Sequence, residues 1–156
     1  MTVFLKLLHI FAVVLFLGNI ITGLFWHAHA ARTRDPKLLA HAMEGIIRSD
    51  RLFTMPGVTV VVAAGVALAI ELRLPMLRTG WILWTSVLLI ISGIVFMLRV
   101  APLQRELLAM ASDGWRSGPF DYGRYRARAI AWEAWGAVAL LTPVVGLLLM
   151  VLKPQL

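Results

Sequence analysis

The sequence predicts an all-α integral membrane protein, a four-helix bundle with a short amphipathic interfacial helix between spans one and two. Three observations predict it. The chain is 60% hydrophobic and only 15% charged, against about 45–50% and about 25% in soluble domains. Its apolar residues fall into four runs, each long enough for the roughly 20 helical residues that cross a hydrocarbon core. Its basic residues gather in two of the connections between those runs.

The first span is predicted at residues 3–26. Ala28-His29-Ala30 after it imitates a signal-peptide cleavage site, but the apolar run is too long and Lys6 is the only charge ahead of it, so the span is expected to be retained. In the connection that follows, Asp35 is placed to cap a helix with Pro36 at its first position. Leu38, Leu39, Ala42, Met43, Ile46 and Ile47 form one apolar stripe, which predicts the amphipathic helix. Span two is expected at 52–72, with Pro56 harmless in its first turn, and "LRLPMLRTG" is a tight external turn. Span three is expected at 81–101. Its continuation "VAPLQRELLAMASDGW" can run past Pro102 as helix and stop at Asp113-Gly114, after which "SGPFD" turns the chain and Asp121 caps the next helix. Span four, 130–152, contains Pro143, which should kink it and free a carbonyl that needs another partner. All of 1–156 is expected to be one domain.

Composition also excludes chemistry. With no cysteine there is no thiolate metal site, iron–sulfur cluster or cysteine nucleophile. Eleven of the 15 Lys and Arg residues lie in the two long connections or at their edge (Arg99). The positive-inside rule then places both connections in the cytoplasm and both termini outside. The net charge of +7 is thereby a topology signal. Divided between two juxtamembrane connections, it points to the lipid bilayer as partner and to no nucleic acid.

Candidate functional residues are few. His9 interrupts "LKLLHIFAVV" within the first span. His27 lies five helical turns further on, on the same helix face as His9, Ala12, Phe16, Ile20 and Gly23, and about 27 Å along the axis. An imidazole at membrane depth has two readings: a neutral group hydrogen-bonded to a neighbouring helix, or an axial haem ligand or proton-relay site. No second histidine shares the depth of His9, so a two-histidine haem site cannot be built. His27, His29 and His41 are expected to be polar residues of the inner interface. Arg99 and Glu133 lie at similar depth near the inner ends of spans three and four and are expected to pair, with Arg128 competing for Glu133.

"LKLLHIFAVVLFLGNIITGLFWHAHA", "MEGIIRSDRLFTMPGVTVVVAAGVAL", "TGWILW" and the closing "VLKP" together resemble an uncharacterised bacterial membrane family, domain of unknown function 2269. They are also similar to HemJ-type protoporphyrinogen oxidases and CopD-like four-helix membrane proteins. The HemJ-type resemblance implies haem b held by the first-span histidine, which falls on His9, and an essential lysine in the third span. Thr85 stands where that lysine belongs, which counts against protoporphyrinogen oxidase activity. What the resemblance leaves is one b-type haem on His9, alone or with a methionine such as Met150, for electron transfer or an oxidoreductase step. Gly65 and Gly146 are the residues best able to open a slot for the porphyrin, with Thr85 lining it. A redox partner protein and a homo-oligomer stay open. The alternative is a cofactor-free membrane accessory or transport protein, in metal handling if it follows the CopD-like relatives.

Overall fold

The computed structural model describes residues 1–155. Four long helices form the fold: α1 (Thr2–Ala31), α2 (Pro36–Glu71), α3 (Gly80–Ser117) and α4 (Tyr122–Leu152). All four are long and apolar enough to cross a membrane. The two termini and the 72–79 connection share one side: Thr2 Oγ1 donates to Glu71 Oε1 at 2.6 Å, and Lys153 Nζ lies 5.5 Å from the centre of the Trp81 ring. The opposite, basic side carries the connections at 32–35 and 118–121.

On the terminal side the helix ends fall within a residue of the predicted spans. On the basic side every helix runs past its predicted span: α2 and α4 start at the expected caps, while α1 and α3 continue further than expected, to Ala31 and Ser117. Hydropathy stops at the membrane boundary, but backbone hydrogen bonding continues as long as local caps allow it. The Asp35 side chain accepts from Lys37 N at 2.8 Å, and that of Asp121 from Arg124 N at 3.0 Å, so both expected caps are present. The stop expected at Asp113-Gly114 is absent, and α3 ends three residues later, before Gly118 at φ 128°. Gly114 is a packing residue instead: a Cβ there would lie 2.5 Å from Phe120 Cδ2.

The amphipathic helix exists over Pro36–Ser49 and joins span two without a break through a π-helical turn, Asp50–Thr54. A second π-helical turn, Phe96–Val100, joins the membrane part of α3 to its extension. Each turn ends two residues before a proline, Pro56 or Pro102. A proline inside a helix supplies no N–H and crowds the carbonyl four residues back. Widening the preceding turn relieves this, with Met55 N reaching Asp50 O and Ala101 N reaching Phe96 O. Pro56 is therefore interior to α2 and shapes it, where the sequence suggested a harmless place in a first turn.

Packing differs between the two sides. On the basic side, Pro36–Ser49 lies against Ala101–Ser117 and α1, and Ala101–Ser117 in turn lies against α4. Leu39, Met43, Leu107, Ala111 and Tyr125 are fully buried there. Of the amphipathic stripe, Leu39, Met43 and Ile46 are thus covered by protein, while Leu38 is 46% exposed. Burying each such Leu or Met from water is worth about 1.5–3 kcal/mol, so this layer packs like a soluble core. On the terminal side the helices form two pairs, α1 with α2 and α3 with α4. Among the described residues, no Cα of Gly80–Val95 comes within 8 Å of one in Thr2–Ala31 or Met55–Glu71. Lipid tails are as apolar as leucine and provide no drive for burial, so close approach and hydrogen bonds must hold each pair. Gly57 admits Phe16, whose Cβ would be 3.4 Å from an added methyl. Ser92 Oγ donates to Ala139 O at 2.6 Å, and Thr85 Oγ1 to Gly146 O at 3.1 Å. Ala139 is four residues before Pro143, so Ser92 satisfies the carbonyl that Pro143 frees. α4 nonetheless stays helical through Pro143.

Candidate functional site

Among the described residues the most buried carboxylate is Asp50, 7% exposed, on the π-helical turn of α2. Three neighbours donate to it. Asn19 Nδ2 on α1 reaches Oδ1 at 3.0 Å, Thr54 Oγ1 reaches Oδ1 at 2.8 Å, and Gln104 Nε2 on α3 reaches Oδ2 at 2.8 Å. Asn19 also donates to Thr54 Oγ1 at 2.8 Å. Asp50 and Thr54, four residues apart on this turn, lie on the same side of the helix and face Asn19. All three donors are neutral, and among the described residues Asp50 forms no ion pair. π-helical turns inside α-helices are frequent at functional sites, and ionisable groups within membrane helices are costly unless used.

A cavity of ≈ 30 Å³ adjoins this centre. One water needs about 10–15 Å³ on this measure, so roughly two fit. Both π-helical turns reach the cavity, through Asp50 on one and Phe96 and Val100 on the other. Trp132 of α4 also lines it, and its Nε1 is buried with no hydrogen-bond partner among the described residues. A buried indole N–H without a protein acceptor fits a water-holding cavity.

Next to Trp132 lies a second buried group. His27, fully buried, shares a hydrogen bond with Tyr125 Oη through Nε2 at 3.0 Å. It meets the Trp132 ring edge-on at 4.8 Å between centroids. Its Nδ1 is 3.6 Å from Glu133 Oε1, and that oxygen accepts from Arg126 Nη1 at 2.6 Å. His27 is therefore a core residue joining α1 to α4, and the expected interfacial role does not hold. The expected Arg99–Glu133 pair is absent as well. Arg99 stacks 5.4 Å from the Trp135 ring centre, and Arg128 Nε pairs with Glu106 Oε1 at 2.9 Å.

The terminal side holds the other sequence candidates in two separate groups. His9 and Gly65 meet between α1 and α2. His9 Nδ1 is 2.9 Å from Val61 O, and the imidazole fills the notch of Gly65, its Cε1 3.1 Å from where a Cβ would be. A carbonyl only accepts, so Nδ1 carries a hydrogen, and in the neutral imidazole the lone pair is then on Nε2. Thr85 and Gly146 meet between α3 and α4, with Thr85 Cγ2 3.0 Å from a Cβ built on Gly146. Both glycine notches are thus occupied by the protein's own side chains. Met150 lies on the last two turns of α4, half-buried. The buried face of α1 is the predicted stripe: Ala12, Phe16, Gly23 and His27 are all buried on it.

The sequence that sets these groups together matches a family model along nearly its whole length. The model of a family described as a predicted integral membrane protein, DUF2269, matches residues 3–154. The chain belongs to the DUF2269 family. No curated protein and no solved structure matches it. In this DUF2269 protein, sequence reasoning missed Asp50, Asn19, Thr54, Gln104, Tyr125 and Trp132. A signal was present for Asn19, an amide in the middle of an apolar span. Asp50 gave none, because beside Arg48 and Arg51 it looks like one more charge of a solvated connection.

Proposed function

We propose that this integral membrane protein is a transport or accessory protein whose working group is the Asp50 carboxylate, loaded and unloaded with a proton through the adjoining cavity. One observation carries the proposal: a buried carboxylate with no ion-pair partner receives three neutral hydrogen bonds from three helices at a π-helical turn. A buried charge without a counter-charge is costly, and a proton removes that cost when the new O–H donates to a water of the adjoining cavity. A metal cation suits the site less well. Asn19, Thr54 and Gln104 all point N–H or O–H groups at the carboxylate, whereas a hard cation requires about six oxygen ligands. The orientation proposed is that of the positive-inside rule, with the basic side facing the cytoplasm of a bacterial inner membrane. Asp50 then opens toward the inner face.

The test is proton movement by the full chain reconstituted in liposomes with an entrapped pH-sensitive dye. Asp50→Asn keeps the shape and, with the Gln104 amide turned to present its oxygen to the new N–H, keeps the hydrogen bonds, but it cannot load a proton. It should slow decay of an imposed pH gradient at least tenfold relative to the parent protein. Equal decay in both, or decay no faster than in empty liposomes, defeats the proposal.

A second reading is haem b held by His9 for an oxidoreductase step. It is favoured by the hydrogen bond from Nδ1 to Val61 O, which leaves Nε2 as a free ligand atom in the orientation usual for metal-binding imidazoles. The porphyrin would then sit between the two helix pairs, since the Gly65 notch is taken. A Soret band in the purified protein that disappears in His9→Ala supports it, and a featureless spectrum after expression with haem supply removes it.

A further inference from the structure

A cavity of ≈ 570 Å³ opens on the basic side where the end of α1 meets the start of α4. Three guanidinium-bearing residues line it: Arg32, Arg34 and Arg126. Its one carboxylate, Glu133, is already neutralised by Arg126. Among the described residues, Arg32 and Arg34 have no carboxylate partner.

Arg34 is held in place by its surroundings. Its backbone has φ 55°, a left-handed conformation that costs a non-glycine residue about 1–2 kcal/mol. Its guanidinium stacks 5.2 Å from the centre of the Tyr122 ring. Tyr122 in turn donates to Ala31 O at 2.9 Å, closing the end of α1. The cavity is therefore built from a fixed aromatic wall with a guanidinium laid on it. The same left-handed conformation follows two other helices, at Arg73 and Lys153, so it marks the end of α1, and it is the Tyr122 contact that fixes the guanidinium.

The opposite wall is apolar. Leu24 and Ala28 line the cavity, and their neighbours on the last turns of α1, Ile21 and Phe25, are 54% and 62% exposed. A basic mouth thus grades into an apolar strip on one helix at the membrane edge. Free phosphate would use only the first feature, whereas a lipid uses both.

We propose that this cavity binds one anionic phospholipid, its phosphate held by Arg32 and Arg34 and an acyl chain lying along the Ile21–Phe25 side of α1. Guanidinium groups suit this role because their planar fork matches phosphate oxygens in pairs. This inference is independent of proton loading at Asp50, which uses other residues and another cavity.

The experiment is thermal unfolding of the full chain in a neutral detergent, titrated with short-chain phosphatidylglycerol. Phosphatidylcholine with the same chains and inorganic phosphate are the comparison arms. Phosphatidylglycerol should raise the unfolding midpoint with a saturable dependence, and the other two should not. Arg32→Gln/Arg34→Gln should weaken the apparent affinity at least tenfold. Arg105→Gln/Arg116→Gln removes the same charge from exposed positions elsewhere on the basic side and should leave the affinity within twofold. Equal weakening by the control pair overturns the proposal in favour of diffuse charge, and equal protection by inorganic phosphate overturns it in favour of a soluble anion. Should the double variant not fold, Arg34→Lys carries the test. It keeps the charge and loses the fork and the stacking, so it should weaken affinity several-fold, and an unchanged affinity refutes the site.

Discussion

Ser92 and Pro143 are coupled across the α3–α4 pair, and the coupling can be measured. Pro143 has no N–H, so Ala139 O lacks its helical donor, and Ser92 Oγ replaces it at 2.6 Å. Ser92 and Ala139 are 4% and 3% exposed, so no water takes over when the hydroxyl is removed. Leaving a buried acceptor unpaired costs about 1–3 kcal/mol, and interhelical hydrogen bonds in membranes are worth about 0.6 and at most about 1.7 kcal/mol. The shortness of this bond and the absence of an alternative donor place Ser92→Ala near the upper membrane value, about 1.5 kcal/mol. Pro143→Ala restores the N–H to Ala139 O. In that background the cost of Ser92→Ala should fall to about 0.5 kcal/mol, a coupling of roughly 1 kcal/mol between residues far apart in sequence. The assay is a double-mutant cycle of the full chain in mixed detergent and sodium dodecyl sulfate, followed by loss of helical circular dichroism. A coupling below about 0.3 kcal/mol, within the scatter of independent sites, would show that the hydroxyl does not serve the carbonyl that Pro143 abandons.

Other outcomes follow from the same geometry. Gly114→Ala should destabilise by about 1–3 kcal/mol through overpacking against Phe120, visible as a lowered midpoint in the same unfolding assay, and a neutral effect would mean Phe120 moves aside freely. His9→Ala should lower stability by about 0.6–2 kcal/mol by removing the bond to Val61 O, with loss of any haem absorbance if iron is bound there. His27→Ala should cost more than His9→Ala. It empties a fully buried site, orphans the Tyr125 hydroxyl and leaves Glu133 with Arg126 alone, and a smaller loss than at His9 would contradict its place in the core. Reporter fusions should place the C-terminus outside and the 118–121 connection inside, and the reverse pattern would invert the proposed access to Asp50.

The sequence by itself determined the class, the number of spans and their terminal-side ends. Hydropathy counts residues in hydrocarbon, and there the apolar runs and the helices stop together. It also determined the caps at Asp35 and Asp121 and the buried face of α1, because both follow from spacing along a single helix. The proline argument foretold an orphaned carbonyl, but only the tertiary structure named Ser92 as its donor, since the partner is on another helix. The π-helical turns were equally beyond local patterning. Pro56 and Pro102 mark where a helix must yield, but continuation through a widened turn depends on what packs on either side. Asp50 shows the limit most clearly. Two of its three partners lie 31 and 54 residues away in the chain, and nothing in "IIRSDRLF" distinguishes a carboxylate that meets water from one enclosed by three helices. Arg99 and Glu133 fail for the related reason that equal depth does not fix rotation about the helix axis. Rotation is set by side-chain packing between helices, and that packing turned Glu133 toward His27 and Arg126 and laid Arg99 on Trp135.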